Sequence, residues 1–172
     1  ITSVEEAAKL NAVGVSISVY IDTEHQAQTI RNLGTLANEA SKYGLLVLGI
    51  TAVGAKLEPM VKGEGEGSAD FDAGRYFAHA GRIIQENGAD IVKTDWSSDP
   101  ARFQAIATQS LAPVVVAGGP ARSSFDDTVA NAQAAIAAGA MGLMFGRNVF
   151  EQKDPRAAMM RLSELVHGAT AK

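Results

Sequence analysis

Five apolar runs rich in β-branched residues alternate with stretches of helical periodicity along this chain, and that alternation constrains the fold more than any other feature. The runs are Val13–Tyr20, Leu45–Ile50, Ala89–Thr94, Pro113–Ala117 and Gly142–Phe145. Between Thr23 and Lys42 the residues Ala27, Ile30, Leu33, Leu36, Ala37 and Ala40 recur at helical spacing, and Gly44 closes that helix. Helical stretches also fill Asp70–Asn87 before Gly88, Pro100–Ser110, Ser124 or Asp126 to Ala138 before Gly139, and Asp154–Pro155 to Val166. A short helix from Ser3 to Leu10 precedes them all, with an N-cap followed by the acidic residues Glu5 and Glu6.

Strand and helix in strict alternation mean parallel strands joined by crossover helices. Continuous apolar runs such as Leu45–Ile50 predict burial on both faces. An open doubly wound sheet and a (β/α)₈ barrel both satisfy the pattern. No glycine-rich dinucleotide fingerprint follows any strand, which weakens the open-sheet reading. The longest irregular stretch is 52–69, where Lys56, Glu58, Lys62, Glu64 and Glu66 alternate with Gly54, Gly63, Gly65 and Gly67. That composition predicts a charged surface loop, either solvated or in contact with a ligand.

Composition closes off several function classes. A chain of 172 residues supports one sizeable core, so residues 1–172 read as a single domain. A net charge of −4 gives no basis for nucleic-acid or membrane-surface binding. No apolar run reaches the length of a membrane span or a secretory signal. Cysteine is absent, which excludes disulfides and thiolate metal sites and points to a cytoplasmic setting. His25, His79 and His167 are scattered without metal-ligand spacing and read as helix-surface residues.

In a parallel α/β protein the loops after the C-terminal ends of the strands build the site. Those ends carry Tyr20 and Asp22, Thr51, Lys93 with Asp95 and Trp96, Gly118–Gly119, and Gly146–Arg147. A lysine at the end of an apolar strand is poorly hydrated, and desolvation favours the neutral amine that attacks a carbonyl. Taken alone, such a lysine most often snorkels to solvent. The turn-forming residues Asp95, Ser97, Ser98 and Asp99 follow it. Two glycine-bearing strand ends expose backbone N–H groups suited to an anion, and Arg147 adds a forked donor matched to phosphate. Phosphate binding there is favoured over plain turn chemistry.

Three motifs in order resemble the class I aldolases of the archaeal fructose-bisphosphate and deoxyribose-phosphate type: Gly88–Thr94, Pro113–Pro120 and Gly146–Phe150. The resemblance covers nearly the whole chain. It implies a (β/α)₈ TIM barrel, with this chain supplying strands four to eight and their helices, and assembly into homo-oligomers. It implies that Lys93 forms a Schiff base, that Gly118, Gly119, Gly146 and Arg147 bind the phosphate of a ketose substrate, and that no cofactor or metal takes part. Tyr20, Asp95 and Lys56 are on-chain acid/base candidates; the family's aspartate on its first strand would lie off this chain. Lys56 could otherwise be a second cation acting on Lys93 or a solvated loop lysine. Trp96 and Asp95 could contact substrate, and Trp96 could equally serve the core or an interface.

The branch is open at this point. Ile50–Thr51–Ala52–Val53–Gly54 lacks the proton-donating tyrosine of fructose-bisphosphate members and resembles the branch that transfers an acetyl group from a phosphorylated diketone to coenzyme A. Lys93–Thr94–Asp95–Trp96 leans toward the sugar-phosphate branch. Outside this chemistry stand a phosphate-binding barrel isomerase or synthase, and a non-catalytic subunit or fragment.

Overall fold

The computed structural model describes residues 2–64, 68–96, 99–119 and 124–168. Five strands, β1 (Gly14–Tyr20), β2 (Leu46–Ala52), β3 (Ile91–Asp95), β4 (Val114–Ala117) and β5 (Gly142–Met144), form one sheet in sequence order with every neighbouring pair parallel. The crossovers are α2 (Gln26–Ser41), α4 (Ala73–Glu86), α5 (Pro100–Gln109) and α6 (Phe125–Ala137). Helices α1 (Val4–Lys9) and α8 (Pro155–His167) flank the ends. Side-chain oxygens cap most N-termini: Ser3, Asp72, Asp99, Ser124 and Asp154 each accept a backbone N–H from the first turn they precede.

The helices cover one face of the sheet. Val19, Val47, Val92, Val114 and Val116 point into that layer and meet Leu33, Ala40, Phe77, Ala80, Ile84, Phe103 and Ile106 in one core. Alternate residues of the same strands face the other way, where no helix of the described residues covers them. Leu46 is 48% exposed and Met144 44% on that side, and Val13, Leu48, Ile91, Val115 and Leu143 line a concave cleft of about 410 Å³ with them. The expectation that Leu45–Ile50 is buried on both faces is therefore corrected: the helix-facing half is buried and the other half lines the cleft. Among the described residues β1 and β5 each pair on one side only.

Close approach explains one glycine within a strand. A Cβ at Gly49 would stand 2.1 Å from Ile84 Cγ2, so α4 packs directly on the β2 backbone. At the entry to β3, Asp90 clamps the register twice: its N–H donates to the Val47 carbonyl at 2.9 Å, and its carboxylate accepts from the Val47 N–H at 2.8 Å. At the opposite rim the Tyr76 hydroxyl donates to the Ile21 carbonyl at 3.1 Å and lies 3.4 Å from that of Ala52, tying the ends of β1 and β2 to α4.

Two elements depart from the sequence reading. The stretch 52–69 contains a helical turn, α3 (Glu58–Val61), with Pro59 in its first turn and a Lys62–Glu58 ion pair at 2.6 Å. A second turn, α7 (Arg147–Phe150), follows β5 directly. The lysine strand also runs to Asp95 rather than ending at Thr94. Gly65, Glu66, Gly67, Ser97, Ser98 and Pro120 lie outside the described residues. His25, His79 and His167 are all exposed, as expected.

Candidate active site

β3 is the central strand, and its alternation decides what each side chain can reach. Val92 and Thr94 turn into the helix layer and are 1% exposed, whereas Ile91, Lys93 and Asp95 share the open face. Lys93 is half-buried, with Ile50 beside it on β2 and Val115 on β4. Its row continues to Ser18 on β1 and Gly142 on β5. The amine thus leaves the sheet at its middle, between two apolar side chains.

The row above it is built differently. Asp95 pairs with Ala117, which pairs with Met144, and Tyr20 pairs with Ala52. Carrying the β2–β3 register on by two residues sets Ala52 beside Asp95. Small side chains flank Asp95 on both sides, and Tyr20 stands in the same row about 10 Å away across two strand spacings. Burial pushes the Asp95 carboxyl above its ordinary range, and the nearby Lys93 charge acts against that rise.

Behind the row the helix side is closed by hydroxyls. Thr51, also buried, donates to the Thr94 hydroxyl at 3.1 Å and lies 3.3 Å from the Lys93 carbonyl, fixing β3 against β2 at the level of the lysine. Thr51 consequently points away from the cleft, and the residue that β2 offers to the open face at its end is Ala52. Trp96 also lies on the helix side. Its ring meets Phe103 with centroids 5.1 Å apart, and its Nε1 donates to Asn131 at 3.2 Å. Asp95 and Trp96 together form the inner end of a second cleft of about 260 Å³, walled by Met60, Phe71, Phe77 and Arg102.

The glycine ends of β4 and β5 are brought together by a residue the sequence reading did not single out. Asn148, 2% exposed, donates from Nδ2 to the Gly118 carbonyl at 2.7 Å, and its Oδ1 accepts from the Thr128 hydroxyl at 3.4 Å. Gly119 adopts φ +65°, which a residue with a side chain rarely takes. Gly146 precedes the α7 turn, and Arg147 beside it is exposed and makes no ion pair among the described residues. Only the position of Asn148 immediately after Gly146–Arg147 hinted at its role.

Lys56 lies elsewhere. It is exposed after β2, and its charge, behind a backbone hydrogen bond at Glu24, holds the Glu24 carboxyl below its ordinary range. That sets Lys56 among the charges of the β1–α2 turn. Tyr20, by contrast, stands on the open face at the end of β1, 36% exposed.

The family described as DeoC/LacD family aldolase matches residues 1–152. A 3-hydroxy-5-phosphonooxypentane-2,4-dione thiolase of Yersinia pestis (strain Pestoides F) is 34% identical over 168 residues, covering 96% of this chain and 51% of that protein. The protein of the same name from Yersinia pseudotuberculosis serotype O:3 (strain YPIII) matches to the same extent. The chain therefore spans about half the length of the curated relatives it matches. An archaeal fructose 1,6-bisphosphate aldolase superposes with a TM-score of 0.83 at 28% identity, over 97% of this chain and 63% of that one. An archaeal aldolase whose catalytic lysine is covalently bound to the carbinolamine intermediate superposes at 0.82 with 27% identity, over 96% and 62% of the two chains.

Proposed function

This chain belongs to the DeoC/LacD family of aldolases, and we propose that it makes or breaks a carbon–carbon bond of a phosphorylated ketose through a Schiff base on Lys93. The observation that carries the reading is the placement of Lys93: half-buried, on the open face of the central strand, between Ile50 and Val115. From that position a lysine amine can add to the carbonyl of a ketone lying against the open face. In this reading β1–β5 are strands four to eight of a (β/α)₈ barrel, and the open face is the barrel interior. The archaeal aldolase is matched over 63% of its length, which agrees with five units of eight.

The amine adds to the ketone to give a carbinolamine, and loss of water with uptake of one proton gives an iminium. That cation accepts the electron pair of the breaking carbon–carbon bond and becomes an enamine, so the iminium itself supplies the electron sink. Gly118 and Gly119, one strand away, and Gly146 and Arg147, two strands away, anchor the phosphate, and Asn148 holds the two glycine ends in one arrangement. Tyr20 faces the substrate from β1, across Ala52. We place the enzyme as a cytoplasmic homo-oligomer, in keeping with the cysteine-free composition and with the assembly implied by the resemblance.

A second reading is favoured by two observations: 34% identity to phosphorylated-diketone thiolases, and a β2 end that offers Ala52 to the open face. There the imine would form on a phosphorylated diketone and the acetyl group would pass to coenzyme A.

Intact-mass spectrometry after borohydride treatment with dihydroxyacetone phosphate tests the shared chemistry. An adduct mapping to the peptide that carries Lys93 is the expected result. No adduct, with phosphate ions still bound, would point instead to a non-catalytic phosphate-binding role. Coenzyme A-dependent consumption of the phosphorylated diketone selects the second reading.

A further inference from the structure

We infer that Asp95 is the group that moves the proton at the carbon next to the Lys93 imine, an inference that rests on the Schiff-base reading above. Four observations converge on it. Asp95 and Lys93 lie two residues apart on one face of the same strand, about 7 Å between Cα atoms. No crossover or loop has to be ordered to bring them together. The cross-strand neighbours of Asp95 are Ala117 and, by register, Ala52, so no bulky side chain stands beside its carboxylate in that row. Asp95 also lines the 260 Å³ cleft, which gives it an approach from the α4–α5 side. Burial also holds its carboxyl above the ordinary range, the direction that suits a group that both takes and returns a proton.

The competing groups are less well placed. Tyr20 lies two strands away on the edge of the sheet, and Lys56 acts at the β1–α2 turn. Thr51 and Thr94 face the helix layer. The charged groups near Asp95 are Lys93 on its own strand, with Asp99 and Arg102 of the α5 end in the cleft wall; β2 and β4 present only apolar side chains to the open face.

The proton balance is simple. With the iminium formed, the Asp95 carboxylate takes a proton from the adjacent carbon, and the C–H electron pair moves to form the enamine as the nitrogen loses its positive charge. The carboxylic acid then returns its proton to that carbon, regenerating the iminium, which water hydrolyses to free ketone and the protonated amine of Lys93. No oxidant or further reactant enters.

The test uses the full chain, dihydroxyacetone phosphate and heavy water. Borohydride trapping reads the imine, and loss of the carbon-bound proton by NMR reads the proton transfer. Asp95→Asn is expected to retain the trapped adduct on Lys93 while exchange slows by about 100-fold or more. Asp95→Glu, which keeps the acid one methylene further out, is expected to recover part of the exchange and its pH-dependent limb. Both variants are checked for native circular dichroism, so that a misfolded protein is not scored. An adduct in Asp95→Asn with exchange within about threefold of wild type, on an unchanged pH profile, would overturn the inference and leave the Schiff base standing. Absence of any adduct in the wild-type chain would overturn both.

Discussion

The Nδ2 of Asn148 donates to the carbonyl of Gly118 at 2.7 Å, joining the turn after β5 to the end of β4. Through that bond two glycine ends from different crossover units become one structure. Replacing Asn148 with Ala takes the donor from the part-buried Gly118 carbonyl, while the Thr128 hydroxyl keeps the Ser124 carbonyl as partner, a loss of about 1–3 kcal/mol. Urea unfolding of Asn148→Ala should show that loss, with weaker binding of phosphorylated ketones. Unchanged stability would mean that water replaces the amide.

Lys93→Ala should reduce turnover to below about 1% of wild type without lowering stability, because the side chain leaves the open face and not the core. Turnover and thermal unfolding on the same preparation check it. Activity of more than a few per cent would refute the Schiff base.

Arg147 is exposed and serves no ion pair among the described residues, so Arg147→Ala should leave the fold intact. KM should rise for phosphorylated substrates by about 10-fold or more, the effect of losing a charge-assisted contact, while unphosphorylated analogues are little changed. An equal effect on both would remove the phosphate assignment.

Gly49→Ala should destabilise the chain by about 1–3 kcal/mol, since the new methyl would overlap Ile84 Cγ2 at 2.1 Å. Combining it with Ile84→Ala should cost less than the sum of the single changes, because the second substitution removes the clashing atom. Additive losses would show that the two sites do not share the contact.

The pH dependence of stability follows from Asp95. Its folded-state carboxyl titrates above the ordinary value of 3.8, so between the two values the native state holds a proton that the unfolded chain has lost. Stability contributed by this group therefore falls as pH rises through that interval. Asp95→Asn removes the effect: its stability relative to wild type should grow from pH 3.8 upward and level off beyond the folded-state value. A difference that is flat with pH would show that Asp95 is not buried as described.

Much of this architecture was legible from local signals. β-Branched runs, helical periodicity, acidic N-caps and closing glycines mark the elements within a few residues because each is settled by its own backbone and neighbours. Lys93 and the glycine pairs stood out because strand ends in a parallel sheet converge on one rim. The turns α3 and α7 were missed: four-residue helices are too short to show a period. Asn148 was missed as well, because its partners Gly118 and Thr128 are 30 and 20 residues away.

The sequence by itself determined that the strands are parallel, where the crossovers lie, and that a lysine and an arginine stand at strand ends, since these follow from patterns spanning a few residues. Tertiary structure decided which face each of those side chains uses. Lys93 and Asp95 share the face of β3 that the helices leave open, Trp96 turns to Phe103 and Asn131, and Lys56 is drawn to Glu24. A strand offers two faces of equal backbone geometry, and only the packing of α4 and α5 on one of them makes the other the place where chemistry can occur.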